Sequence, residues 1–171
     1  MFLGGWIVMV GGGMVPGTLP ATRLLAATRG PLGGASFLAA YVAVWIGLGA
    51  IGFVLLSPLA PAVSWAGVGA VLAATAAYEL SPLKDACLRR CRSPLRLLFQ
   101  PSFRGGVLHA LDCAGCCGCL MALMVALGLM SIWWIGVLAV VVLVQKAAPF
   151  GAVSPALLSL ALGSAAVITW I

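Results

Sequence analysis

The sequence predicts an all-α integral membrane protein: a single transmembrane domain over residues 1–171, built as a bundle of about six transmembrane helices with a short amphipathic cytoplasmic helix in the 81–106 loop. Three observations carry that expectation. Hydrophobic residues make up 64% of the chain and charged residues 7%, where soluble domains carry about a quarter charged, and the mean hydropathy is +1.22. The apolar runs stay unbroken over about 18 to 24 residues, which is the length of a bilayer-crossing helix. They do not alternate as barrel strands do, and a helix satisfies its own backbone polar groups, as lipid demands.

Taken in order, the first span is expected at about 2–19, where Gly4, Gly5, Gly11, Gly12 and Gly13 weaken the helix or admit a close neighbour, and Pro16 should kink its far end. No basic region precedes Phe2 and no small-residue cleavage site closes the run, so this helix is expected to stay. Arg23, Arg29, Gly30, Pro31, Gly33 and Gly34 predict a polar connection. The second span, 35–56, is 22 residues without a charge, about 33 Å of helix. After Ser57, Pro58 and Pro61 a third span is expected at 62–80, ending at Tyr78 and Glu79. Pro82 suits a first helical turn, and Leu83, Cys87, Leu88 and Cys91 share a stripe, which predicts the amphipathic helix. The fourth span, 107–130, carries four cysteines; the fifth, 132–144, ends at Gln145 and Lys146; the sixth is 152–171. Trp133 and Trp134 fit an interfacial aromatic belt.

Six spans place the loops at 21–34, 81–106 and 145–151 on one side, and those loops hold all nine Lys and Arg residues. By the positive-inside rule that side is cytoplasmic and both termini are outside. The formal net charge of +6 therefore speaks of orientation and of contacts with anionic lipid, not of nucleic acid.

All six cysteines lie between Tyr78 and Leu120, where most of the ionisable residues also fall. At about 100° per residue, Cys113, Cys116 and Cys117 fall near 40°, 340° and 80° from His109, and Asp112 and Cys119 near 300° and 280°, so one helical face holds them all. Asp112 must face protein or water, since a carboxylate in the bilayer costs on the order of 2.5 to 3.5 kcal/mol. Thiolates and an imidazole at i, i+3 and i+4 suit Cu⁺ or Zn²⁺. One helix rarely encloses a metal, so Cys87 and Cys91, a turn apart, are the natural second arm. The candidate ligands are Cys87, Cys91, His109, Cys113, Cys116 and Cys117.

Each has a plainer reading. A buried cysteine is a small hydrophobe, the default for Cys119, and Met9, Met14, Met121, Met124 and Met130 fill gaps in apolar packing. Glu79 and Lys84 read as an interfacial ion pair, worth at most about 1 kcal/mol if exposed. Cys113-x2-Cys116 also has the spacing of a redox dithiol, but the topology puts it towards the cytoplasm, where disulfides do not persist. Two functions compete from different classes: a non-enzymatic membrane protein handling copper or another thiophilic metal, and a structural or assembly subunit docked among other membrane protein subunits. A thiol-redox enzyme is third.

The run Tyr78-Glu79-Leu80-Ser81-Pro82-Leu83-Lys84, then Cys87, Cys91-Arg92 and Pro94-Leu95, then Cys113, Cys116-Cys117 and Leu120-Met121, resembles a bacterial family of predicted metal-binding integral membrane proteins, some labelled copper chaperone. Met14-x-Pro16, Met130-x2-Trp133 and Lys146 extend the resemblance over nearly the whole chain. It implies a multi-pass protein of the bacterial inner membrane with a metal site at Cys87, Cys91, Cys113, Cys116 and Cys117. This sequence departs from that pattern at Asp112 and Gly118, where aromatics are expected, at Gln145, where a glutamate is expected, and at Gly13, which replaces a methionine.

Overall fold

The computed structural model describes residues 2–56, 65–126, 132–147 and 161, and every element among them is helical. Helix α1 (Phe2–Met9) runs into a π turn (Val10–Met14) and on into α2 (Val15–Leu56); α3 (Trp65–Glu79), α4 (Pro82–Arg92), a 3₁₀ turn (Pro94–Phe99), α5 (Ser102–Ala126) and α6 (Ile132–Ala147) follow. The expected sixth span lies outside the described residues, apart from residue 161. By length and composition, two stretches can cross a membrane, Gly4–Leu55 and Ser102–Val125, and Ile135–Lys146 is a shorter apolar helix.

The polar connection expected at 21–34 is nearly all helix. It contains a single non-helical residue, Gly30 at φ 79 and ψ 171, a left-handed setting that only glycine enters freely, and Pro31 then opens the second arm at a position where a missing N–H costs nothing. The arms fold back on each other closely: a Cβ on Gly34 would lie 2.8 Å from Ala26 Cβ and 3.1 Å from the Thr22 carbonyl oxygen. Farther along, Trp6 Nε1 donates to the Trp45 carbonyl at 2.9 Å. Arg29 ties this hairpin to the cysteine loop, donating to the Leu98 carbonyl at 2.6 Å and to that of Gln100.

Near the start of the chain, the irregularity is a π turn before Pro16 rather than a kink at it. Pro16 supplies no N–H and its ring crowds the carbonyl of the preceding turn, and Gly11, Gly12 and Gly13 give the backbone freedom to widen there.

Helix α5 is the axis of the packing. It begins five residues earlier than the expected span. Gly106 lets it meet α2 backbone to backbone, since a Cβ there would collide with the Phe37 carbonyl and sit 2.9 Å from Ala40 Cβ. The main core gathers Trp6, Met9 and Met14 with Tyr41 and Trp45, Leu88, the α5 face from Ala110 to Met124, and Ile135 and Val142.

Candidate metal centre

Helix α4 carries the second cysteine arm, and its start is fixed locally. Ser81 caps it, its side-chain oxygen accepting from the Lys84 N–H at 3.2 Å; Pro82 occupies the first turn, Asp85 lies near the N-terminus, and Arg89, Arg90 and Arg92 lie near the C-terminus, charges that oppose the helix dipole. The buried stripe differs from the expected one: Leu83 is 61% exposed and Lys84 is fully buried.

Lys84 is buried because a partner waits for it. Its Nζ pairs with the Glu79 carboxylate, and both side chains are 0% exposed. Gln145 on α6 completes the group: its Nε2 donates to Glu79 Oε2 at 3.3 Å and its Oε1 accepts from Lys84 Nζ at 3.4 Å. Cys119 Sγ donates to Glu79 Oε1 at 3.5 Å. At the other end of α4, Arg92 Nη2 donates to the Gln145 carbonyl. The interfacial pair read from the sequence is thus an interior network joining α3, α4, α5 and α6.

With α4 held in this way, Cys91 meets the α5 cysteines. The sulfurs of Cys91, Cys113 and Cys116 all lie within 4.8 Å of one another, and the Cys116 and Cys117 sulfurs are 3.1 Å apart. The three α5 cysteines are buried, and all six cysteines are free thiols. Cys113 Sγ also accepts from the Tyr41 hydroxyl at 3.1 Å, lies 3.6 Å from Met14 Sδ, and accepts from Lys146 Nζ at 3.0 Å. The hydrogen bond with Cys113 above all, and burial after it, push the Cys91 thiol up to about 12.

The other candidates stand around this trio. Cys87 packs over Gly115, where a Cβ would sit 2.5 Å from its Sγ, and Tyr78 donates to the Gly115 carbonyl at 2.6 Å; neither places Cys87 in the trio. His109 is 3% exposed, its ring centroid 5.7 Å from those of both Phe37 and Tyr41, and its Nε2 has no hydrogen-bond partner. Asp112 receives Arg96 Nη2 at 3.0 Å, so the 3₁₀ turn supplies the partner that its depth required. Gly118 opens onto an apolar cavity of about 280 Å³ bordered by Trp6, Trp45 and Met121.

Sequence reasoning missed Lys146 and Tyr41 at the sulfur group. Lys146 lies 33 residues from Cys113, and no helical spacing links them; the available signals were a lysine after Gln145 at the end of an apolar run and its place in the family resemblance.

Three soft ligands from two elements, with a fourth sulfur adjacent, can hold a thiophilic cation such as copper(I) or zinc. Comparison with protein families is consistent with this chemistry: the family model PpoB2, described as a copper chaperone, matches residues 3–169. Among curated proteins and among solved structures no match was found.

Proposed function

As the chain belongs to the PpoB2 copper-chaperone family, we propose that it is a non-enzymatic membrane protein that binds and passes on copper(I) at the sulfur group joining α4 to α5. The observation that carries this reading is the convergence of the Cys91, Cys113 and Cys116 sulfurs within 4.8 Å, brought together from two separate helices, α4 and α5.

In this reading Cys91, Cys113 and Cys116 are the primary ligands. Cys117, whose sulfur is 3.1 Å from that of Cys116, is the exchange partner through which the ion moves between pairs of thiolates. His109, with its unpartnered Nε2, and Cys87, half-buried where α4 packs over Gly115, complete the set as donors during entry and exit. Copper(I) is the cargo, with zinc as a competing occupant. Binding releases thiol protons and so weakens at low pH.

The protein sits in the bacterial inner membrane with six spans, both termini outside and the sulfur site towards the cytoplasmic leaflet. Support comes from the outward-facing apolar side chains Ile7, Ile46, Ile51, Val54, Val137 and Val140, each about half exposed or more, and from the position of Arg29, Arg92, Arg96 and Lys146 at one end of the helices around the site.

The test is metal analysis of the purified protein after loading with copper(I). Sulfur-only coordination by X-ray absorption, lost in Cys113→Ser or Cys116→Ser and kept in Cys119→Ser, is the expected result. A folded protein that takes up no thiophilic metal would falsify the reading.

A further inference from the structure

The sulfur group is not made of neutral partners alone: a cation stands inside it. Lys146 Nζ donates to Cys113 Sγ at 3.0 Å and lies 3.8 Å from Met14 Sδ. Its stem crosses α2 at a gap made for it, because a Cβ on Gly17 would lie 3.1 Å from Lys146 Cδ and 3.3 Å from Nζ. The helix turn that carries it is pinned through the preceding residue, whose carbonyl takes Arg92 and whose side chain is bound to Glu79 and Lys84. A long, flexible, half-buried lysine is therefore held at one place from two sides.

We propose that Lys146 is the counter-cation of the sulfur site and a specificity-determining residue there, favouring a monovalent thiophilic cation over a divalent one. This rests on the reading of the sulfur group as a metal site. Three thiolates around a monovalent ion leave two negative charges uncompensated, while around a divalent ion they leave one. A fixed ammonium beside the complex attracts the first about twice as strongly as the second, because Coulomb energy scales with the product of the charges. The low-dielectric surroundings keep that difference from being screened. Lys146 need not touch the ion; it acts as a positioning charge through the sulfur of Cys113.

The experiment uses the full chain in detergent, with copper(I) alone and zinc(II) alone as probes, each titrated against a chromophoric chelator. Lys146→Gln should weaken copper(I) binding by about tenfold and zinc(II) binding by about threefold, so that the copper-to-zinc preference falls by about threefold. Lys146→Arg should keep the wild-type preference. Gly17→Ala, which retains the charge but pushes the stem aside, should lower the preference in the same direction, and it decides the matter should Lys146→Gln not fold. Equal loss for both metals, or no loss in either variant, overturns the proposal while leaving the metal site standing. A wild-type protein that binds neither metal removes the site itself, and the proposal with it.

Discussion

The interior pair of Glu79 and Lys84 offers the sharpest test of the fold, because its worth can be worked out from what each substitution leaves behind. In Lys84→Met the carboxylate keeps only Gln145 Nε2 at 3.3 Å and Cys119 Sγ at 3.5 Å, neither of them cationic. In Glu79→Met the ammonium keeps only Gln145 Oε1 at 3.4 Å. Removing one partner of a buried pair costs about 3 to 5 kcal/mol, because the other charge stays buried alone. For a chain of this length about 1 kcal/mol moves the melting temperature by about 2 to 4 °C, so each single variant should lose roughly 6 to 20 °C. The double variant behaves differently. It leaves no bare charge: the Gln145 amide loses both partners, at about 1 to 3 kcal/mol, and the Cys119 thiol, a weak donor, loses its acceptor. The double should therefore be more stable than either single, which is the signature of mutual dependence in a double-mutant cycle. Thermal unfolding of the three variants in detergent, followed by tryptophan fluorescence, reads this directly. Single variants within about 2 °C of wild type, or a double as unstable as the two losses added, would refute the buried network.

Two further outcomes follow from the site and the helix contacts. Cys91 titrates at about 12, above its ordinary 9.0, so it carries a proton throughout pH 6 to 8 and a bound metal must displace it; apparent copper(I) affinity should rise about tenfold per pH unit from this group alone. For the metal-free fold the sign is opposite: the raised value stabilises below about pH 9 and is lost as pH climbs towards 12. Chelator competition at three pH values checks the first statement, and a flat profile counts against Cys91 as a ligand. Gly106→Ala should cost about 1 to 3 kcal/mol or more, as its methyl meets the Phe37 backbone. Gly118→Ala, whose methyl meets nothing within 4 Å inside α5, should instead stabilise by about 0.4 to 1 kcal/mol.

Helical class was legible from composition together with the long apolar runs that do not alternate, and the α5 cysteines were legible from spacing, since residues on one face of one helix need no tertiary information to be placed together. Cys91 was found by the same logic on α4. Lys84 was not: the sequence shows a lysine in the first turn of an amphipathic helix in a basic loop, and only the arrival of Gln145 from α6 and Glu79 from α3 turns that into an interior position. The connection at 21–34 was read as a loop because its glycines, prolines and arginines are loop residues, yet one glycine at φ 79 reverses the chain and the rest can stay helical. Tyr41 and Lys146 entered the site from other helices, and contacts across helices leave no periodic trace in the residues that make them.

The π turn at Val10–Met14 has a geometric effect that reaches both ends of the first arm. In an uninterrupted α-helix, Trp6 and Met14 would point about 80° apart, eight residues at 100° each. A wide turn absorbs one residue, which brings the two to within about 20° of the same face. One rod can then set its indole nitrogen on the Trp45 carbonyl and, a turn or two later, its thioether beside Cys113. The glycine tract works as a phase adjuster: it matches an anchoring contact at one depth to a sulfur contact at another.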